Sequence, residues 1–162
     1  MTRTQFPFLA SAALAALVAV PLGVFAEPVA YPEGYRHWHH AKSMVIHDGH
    51  PLADPFAGIH HIYVNDPALE GLQTGRYADG SVFVFDLLEA DAGDEAITEG
   101  ERKLVGVMVK GAETYRETGG WGFEGFAGDS RDQRLVSDGG QGCFACHQSQ
   151  ADSDYVFTRW RP

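Results

Sequence analysis

Asp79-Gly80-Ser81-Val82-Phe83-Val84-Phe85-Asp86-Leu87-Leu88 is the stretch on which the fold turns. Asp-Gly is a turn signal, and the run after it is rich in β-branched and aromatic residues, which pack well on a pleated surface. Ser81 to Leu88 is therefore the clearest strand. Leu104 to Val109 is a second strong one, apolar on both faces as a central strand would be. Gly58 to Val64 and Lys42 to Ile46 read as further strands. So does the glycine-spaced aromatic segment Trp121-Gly122-Phe123-Glu124-Gly125-Phe126, which follows Gly119-Gly120. Between these, Tyr31 to His40 predicts a short helix, with Pro32 suited to its first turn. Pro67 to Leu72 predicts another, stopped near Gly75. Ala112 to Arg116 reads as a helical turn. Asp48 to Phe56, with Pro51 and Pro55, reads as loop. Asp91 to Glu101 reads as an acidic, exposed connection, Ser137 to Gly142 as loop, and Tyr155 to Trp160 as a short aromatic tail. At least four strand-like segments and no long helix make this a β-rich α+β domain.

The chain opens differently. Arg3 is the only charge before Glu27, Phe8 to Ala26 is apolar apart from Ser11, Pro21 and Gly23, and Val24-Phe25-Ala26 has small residues where a signal peptidase reads them. That is the layout of a secretory signal peptide at residues 1–26. The competing reading is an uncleaved membrane anchor, which Pro21 and Gly23 disfavour. Cleavage after Ala26 leaves a single domain, 27–162, of 136 residues at a net charge of −11, against −10 for the whole chain of 162. That is enough chain for a real core. So negative a charge argues against nucleic acid or an anionic membrane surface as partner. It suits an exported, periplasmic protein that meets a neutral small molecule or a basic redox partner.

Both cysteines of the chain sit in one motif, Cys143-Phe144-Ala145-Cys146-His147. On a helix, positions i, i+3 and i+4 share a face, so both sulfurs and the imidazole point the same way. Two thioether bonds can then hold a porphyrin edge while the histidine reaches the iron. Cys-x-x-Cys-His is the attachment sequence for c-type haem, with His147 as proximal iron ligand. A thioredoxin-type pair would open a helix early in a βαβ unit, and a structural zinc site would need a second pair of ligands. Neither context is present. Class I cytochromes c are helical with an early motif, and four-helix cytochromes c′ need long amphipathic helices. A β-rich domain with a late haem motif is neither.

Several further pieces, taken in order, carry a resemblance. They are Tyr35-Arg36-x-Trp38, Ile62-Tyr63-Val64-Asn65, Gly75-Arg76-Tyr77-x-Asp79-Gly80-Ser81-Val82, Gly120-Trp121-Gly122-Phe123, and the haem motif followed by Asp154-Tyr155-Val156-Phe157-Thr158. Together they span nearly the whole mature domain and resemble the cytochrome P-460 family, which includes the cytochromes c′-beta. The resemblance implies a mostly antiparallel sheet packed on one covalently bound haem c, a five-coordinate iron, and often a homodimer. It also separates two branches. Hydroxylamine-oxidising members carry a lysine bonded to the porphyrin, on the strand after the Asp-Gly turn. This chain has Phe85 there, and its three lysines, Lys42, Lys103 and Lys110, fall elsewhere. An arginine common in the distal pocket of those enzymes corresponds to His60. The gas-binding c′-beta members have two phenylalanines over the iron, and Phe56 and Phe85 fit those places by spacing.

Seven histidines precede His147: His37, His39, His40, His47, His50, His60 and His61. Those from His37 to His50 show no fixed ligand spacing and read as solvated polar residues. Strand alternation puts His60, Ile62 and Val64 on one face and His61 and Tyr63 on the other. Only one of the two adjacent histidines can face a haem, and the resemblance makes it His60, as a donor to a bound diatomic or a proton shuttle. Met108 reads as core and Met44 as a weaker candidate for an axial ligand. Asp86 and Asp138 carry no assigned role. Trp121, Phe123 and Phe126 read as core or haem wall.

The expected function is a periplasmic cytochrome that binds NO or CO at an open, aromatic-capped iron. The alternatives are oxidation of hydroxylamine or a related nitrogen compound, and electron transfer through a saturated iron. Covalent attachment is the first thing to check. Haem should stay with the denatured protein through acid–acetone extraction and be retained poorly by Cys143→Ala or Cys146→Ala. Haem that extracts cleanly from the wild type, produced with a working maturation system, overturns the motif reading.

Overall fold

The computed structural model describes residues 28–162 and Met1, so the expected signal peptide lies outside the described residues. The strand predicted from Ser81 to Leu88 runs as β3 over Val82–Gly93. Its companions are β1 (His39–Ile46), β2 (Gly58–Val64), β4 (Ala96–Lys110) and β5 (Trp121–Ala127). They form one five-stranded antiparallel sheet in the order β1-β2-β3-β4-β5. Three short helices accompany it: α1 (Ala53–Phe56), α2 (Asp66–Thr74) and α3 (Gln141–His147). The β-rich α+β class expected from the sequence is the class that forms. No described helix is long and apolar enough to cross a membrane.

Register and alternation give the sheet two distinct faces. Val64, Phe83, Met108 and Phe123 lie in one row across β2 to β5. They pack with Trp121, with Ala68 and Leu72 of α2, and with Val156 of the C-terminal segment. The next row on that face is Ile62, Phe85, Gly106 and Gly125. On the opposite face, Val84, Val105, Val107 and Phe126 are covered by Val29 and Tyr35.

The helix that covers the first face has clear local causes. The Asn65 side chain accepts from the backbone N–H of Ala68 (3.1 Å) and of Val82 (2.9 Å) and donates to the Gly80 carbonyl (2.9 Å). One amide thus caps α2 and ties it to the start of β3. Pro67 sits in the first turn, and Gly75, at φ 77°, closes the helix in the left-handed conformation that glycine adopts without strain. Tyr77 then folds back over Gly71, where a Cβ would come within 2.1 Å of its ring.

Three expectations are corrected. Only Tyr35–His37 of the helix expected over Tyr31 to His40 forms, as one 3-10 turn. Tyr35 is drawn into the core (4% exposed) and His39 and His40 are taken up by pairing with β2. The loop from Asp48 to Phe56 ends in the short helix α1. The connection expected from Asp91 to Glu101 is instead a ribbon, with Ala90, Asp91, Ala92 and Gly93 paired to Glu99, Thr98, Ile97 and Ala96. Its turn residues, Asp94 and Glu95, both have positive φ, as a two-residue hairpin requires. The ribbon projects past the core, so neither face needs apolar residues and no alternation marks it.

Beneath the second face lies one fully buried carboxylate, Asp86. Its Oδ1 accepts from Arg102 Nε at 2.7 Å, and Arg36 Nη1 lies 3.5 Å from Oδ2. Arg102 continues to Asp129. Asp86 therefore points away from the Phe85 face. Removing a partner from a buried charge costs far more than replacing both. Arg102→Met should lower stability by about 3 kcal/mol, and Asp86→Asn should recover part of that loss in the double variant. Urea unfolding checks this, and additive losses would show that the pair is not coupled.

Candidate functional site

The motif Cys143 to His147 forms α3 as the spacing requires. Gly140, at φ 86°, precedes the helix. The Asp138 carboxylate accepts from the backbone N–H groups of Gly140 (2.9 Å) and Gly142 (2.8 Å), and those bonds hold its pKa below the ordinary value. Asp138 thus shapes the turn that presents the motif. Cys143 and Cys146 are not joined in a disulfide. Cys146 is exposed, while Cys143 packs against the core cluster, and burial pushes its pKa up.

His147 is fixed from three sides. Its ring lies 5.0 Å from Phe123 of β5 and 5.0 Å from Phe157. Its Nδ1–H donates to the Tyr155 carbonyl at 2.7 Å. That bond settles the tautomer and leaves the Nε2 lone pair free for a metal. Burial lowers the pKa of the ring, which favours the neutral form that a metal needs. The carbonyl is itself held by an unusual backbone. Asp154 and Tyr155 are both left-handed, at φ 51° and 65°. The Asp154 carboxylate is gripped by Lys110 Nζ at 2.7 and 2.8 Å and by Trp121 Nε1 at 3.4 Å. Lys110 also lies 4.8 Å from the centroid of the Trp121 ring. This network around His147 was not legible in the sequence. Asp154-Tyr155 stood among the resembling motifs, but nothing local told that its backbone would serve His147.

The other candidates meet on the same sheet face. Phe56 and Phe85 pack edge to face at 5.7 Å, and His60 lies against Phe85 at 4.5 Å. His61 points to the opposite face, as alternation demanded. Beside Phe85 in its row are Gly106 and Gly125. A Cβ on Gly106 would come within 3.3 Å of Phe85, and one on Gly125 within 3.3 Å of Leu135. The row is therefore shallow beside Phe85 where side chains would otherwise stand. Leu135, 49% exposed, leans over Gly125 and gives the row an apolar rim. Two thiols on one helix face, a tautomer-locked imidazole and a shallow, apolar-rimmed strip fit a flat porphyrin joined through Cys143 and Cys146. Met108 is core, as expected. Met44 pairs with His60 on the edge strand and is 37% exposed.

His60 is 3% exposed, and its Nδ1 has no hydrogen-bond partner. Burial, then the charges of Lys42 and His61, lower its pKa from 6.5 to about 4. The folded protein therefore keeps His60 neutral where the unfolded chain would protonate it. Stability is unaffected above pH 6.5 and falls as pH drops from 6.5 towards 4, by about 1.4 kcal/mol per unit for one proton. His60→Phe should flatten that part of the curve in urea unfolding of haem-loaded protein. An unchanged slope would show that His60 titrates normally.

No curated protein matches this chain. Residues 32–158, most of the chain and all three helices included, match the family described as Cytochrome P460. With that match on a β-rich domain, the chain belongs to the cytochrome P460 family, whose members bind haem.

Proposed function

We propose that this chain is an exported mono-haem c-type cytochrome of the c′-beta branch, which binds NO or CO on the open side of its iron. In this reading Cys143 and Cys146 hold the haem, His147 is the proximal ligand, and Phe56, Phe85 and His60 line the distal side. The protein acts in the periplasm, as the apolar leader of the sequence supports, and works as a homodimer with a redox protein as its partner.

The observation that carries the reading is the Phe56–Phe85 pair. Haem, when bound, supplies an iron with one coordination position left by His147. Neither phenyl ring can ligate iron or donate a hydrogen bond, so the pair guards that position without filling it. Charged or strongly hydrated ligands are disfavoured by such an apolar wall, whereas small diatomics are not. Neutral His60 packs against Phe85 at 4.5 Å.

One observation favours the enzymatic alternative. Lys42 pairs with Ile62 on the edge strand and so shares the face of Phe85, although it does not occupy the place of Phe85. Lys103 and Lys110 are engaged elsewhere, with the Ala57 carbonyl and Asp154. Peptide mapping of the haem-loaded protein distinguishes the readings. Haem mass should appear only on the fragment with Cys143 and Cys146, ferrous protein should take up CO, and hydroxylamine should not be turned over. Phe85→Ala should speed CO association about tenfold, a barrier change of about 1.4 kcal/mol. A lysine fragment that also carries haem, with enzymatic oxidation of hydroxylamine, overturns the proposal.

A further inference from the structure

The opposite face of the sheet carries a second cluster of chemistry-bearing side chains, separate from the α3 site. The register of β1 against β2 slips between His40 and Lys42, a bulge at Ala41. In a regular strand, positions three apart point to opposite faces. The bulge turns His40 to the face of Ser43, and bulges re-aim side chains in this way. There, two imidazole nitrogens converge on one oxygen. His40 Nε2 lies 2.9 Å from Ser43 Oγ, and His61 Nδ1 lies 2.6 Å from the same atom. The far nitrogen of His61, Nε2, donates to Glu99 Oε1 at 2.6 Å, and Arg36 stands 3.7 Å from the other oxygen of that carboxylate.

In the neutral His61 ring the carboxylate fixes the bonding order. His61 Nε2 carries the proton given to Glu99, so Nδ1 presents its lone pair towards Ser43 and accepts the serine O–H. A carboxylate behind an imidazole, fixing its tautomer and raising its basicity, is the support that metal-binding histidines characteristically have. His40 needs only the other tautomer to present its Nε2 lone pair to the same point, and its exposed ring can exchange that proton with water. Tyr63 steadies the pair from below, with ring centroids 5.7 Å from His40 and 6.3 Å from His61.

We propose that His40 and His61 form a binding site for a borderline divalent transition-metal ion, zinc or copper, with Glu99 as the orienting group of His61. Two imidazoles suit such ions, and oxygen-seeking magnesium or calcium poorly. No set of three histidine, cysteine, aspartate or glutamate side chains among the described residues surrounds a single point. The shell is therefore two nitrogens, with the Ser43 hydroxyl and water completing it, as the exposure of His40 and Ser43 permits. Metal–nitrogen bonds of about 2.0–2.1 Å are shorter than the present hydrogen bonds, so the rings close on the ion as the hydroxyl turns aside or joins it. A purely structural network linking β1 to the β3–β4 ribbon makes no such provision and binds no metal.

Isothermal titration of haem-loaded, tag-free mature protein with zinc chloride tests this. One equivalent should bind with a Kd below about 100 μM, a modest affinity for a shell of two protein nitrogens. His40→Ala and His61→Ala should each weaken binding at least tenfold, and Glu99→Gln about tenfold. His39→Ala, at a ring paired with Asp66 instead, should leave binding unchanged. The haem absorption spectrum reports whether each variant folds. Independently of the variants, anomalous scattering from zinc-soaked wild-type crystals should place the ion between His40 and His61. Failure of the wild type to bind, binding that survives His40→Ala together with His61→Ala, or a zinc peak elsewhere overturns the site.

Discussion

The hydrogen bond from His147 Nδ1 to the Tyr155 carbonyl is the constraint on which the proposed cofactor site depends. It joins the last residue of the haem motif to the C-terminal segment, and it selects which nitrogen remains free. The cost is local. Two consecutive non-glycine residues, Asp154 and Tyr155, sit in the left-handed region, which persists only where the surroundings impose it. Here the surroundings are explicit: Lys110 and Trp121 hold the Asp154 carboxylate, and the ring of Tyr155 packs on Phe144 within the motif itself at 5.2 Å. The grip reaches from β4 and the start of β5, so the sheet and His147 are mechanically one piece.

The sheet's other contribution is asymmetry. Side-chain alternation sends His60 and Phe85 to one face and His61 and Asp86 to the other. Adjacent residues thus serve two unrelated environments. On the first face, glycine at 106 and 125 lowers the row beside Phe85. On the second, a buried carboxylate is met by Arg102 and Arg36, and His61 of β2 meets Glu99. Asp86, Arg102, Arg36 and Glu99 are in this way kept away from the apolar wall that the gas-binding reading needs.

Much of this was legible in the chain. Val82-Phe83-Val84-Phe85 and Leu104 to Val109 announced central strands because buried strands need β-branched and aromatic residues, and the spacing of Cys143, Cys146 and His147 announced a shared helix face. Pairing in the 91–101 ribbon was not legible, because a ribbon outside the core places no demand on side chains. Nor was the pairing of Lys110 with Asp154, which joins positions 44 residues apart. His40 and Ser43 were hidden for another reason. A bulge changes the face of a residue without leaving a mark in composition, so histidines without fixed spacing in the chain can still converge in space.

Resonance Raman spectroscopy of the ferrous, haem-loaded protein tests most directly whether His147 alone holds the iron behind an open, phenylalanine-guarded side. If it does, the spectrum is that of a five-coordinate, high-spin haem with an iron–histidine stretching band. That band should shift in Lys110→Met, where the Tyr155 carbonyl loses its support, while the spin state stays the same. A six-coordinate, low-spin spectrum in the ferrous wild type would contradict it, because a second protein side chain would then occupy the position that Phe56 and Phe85 are held to leave free.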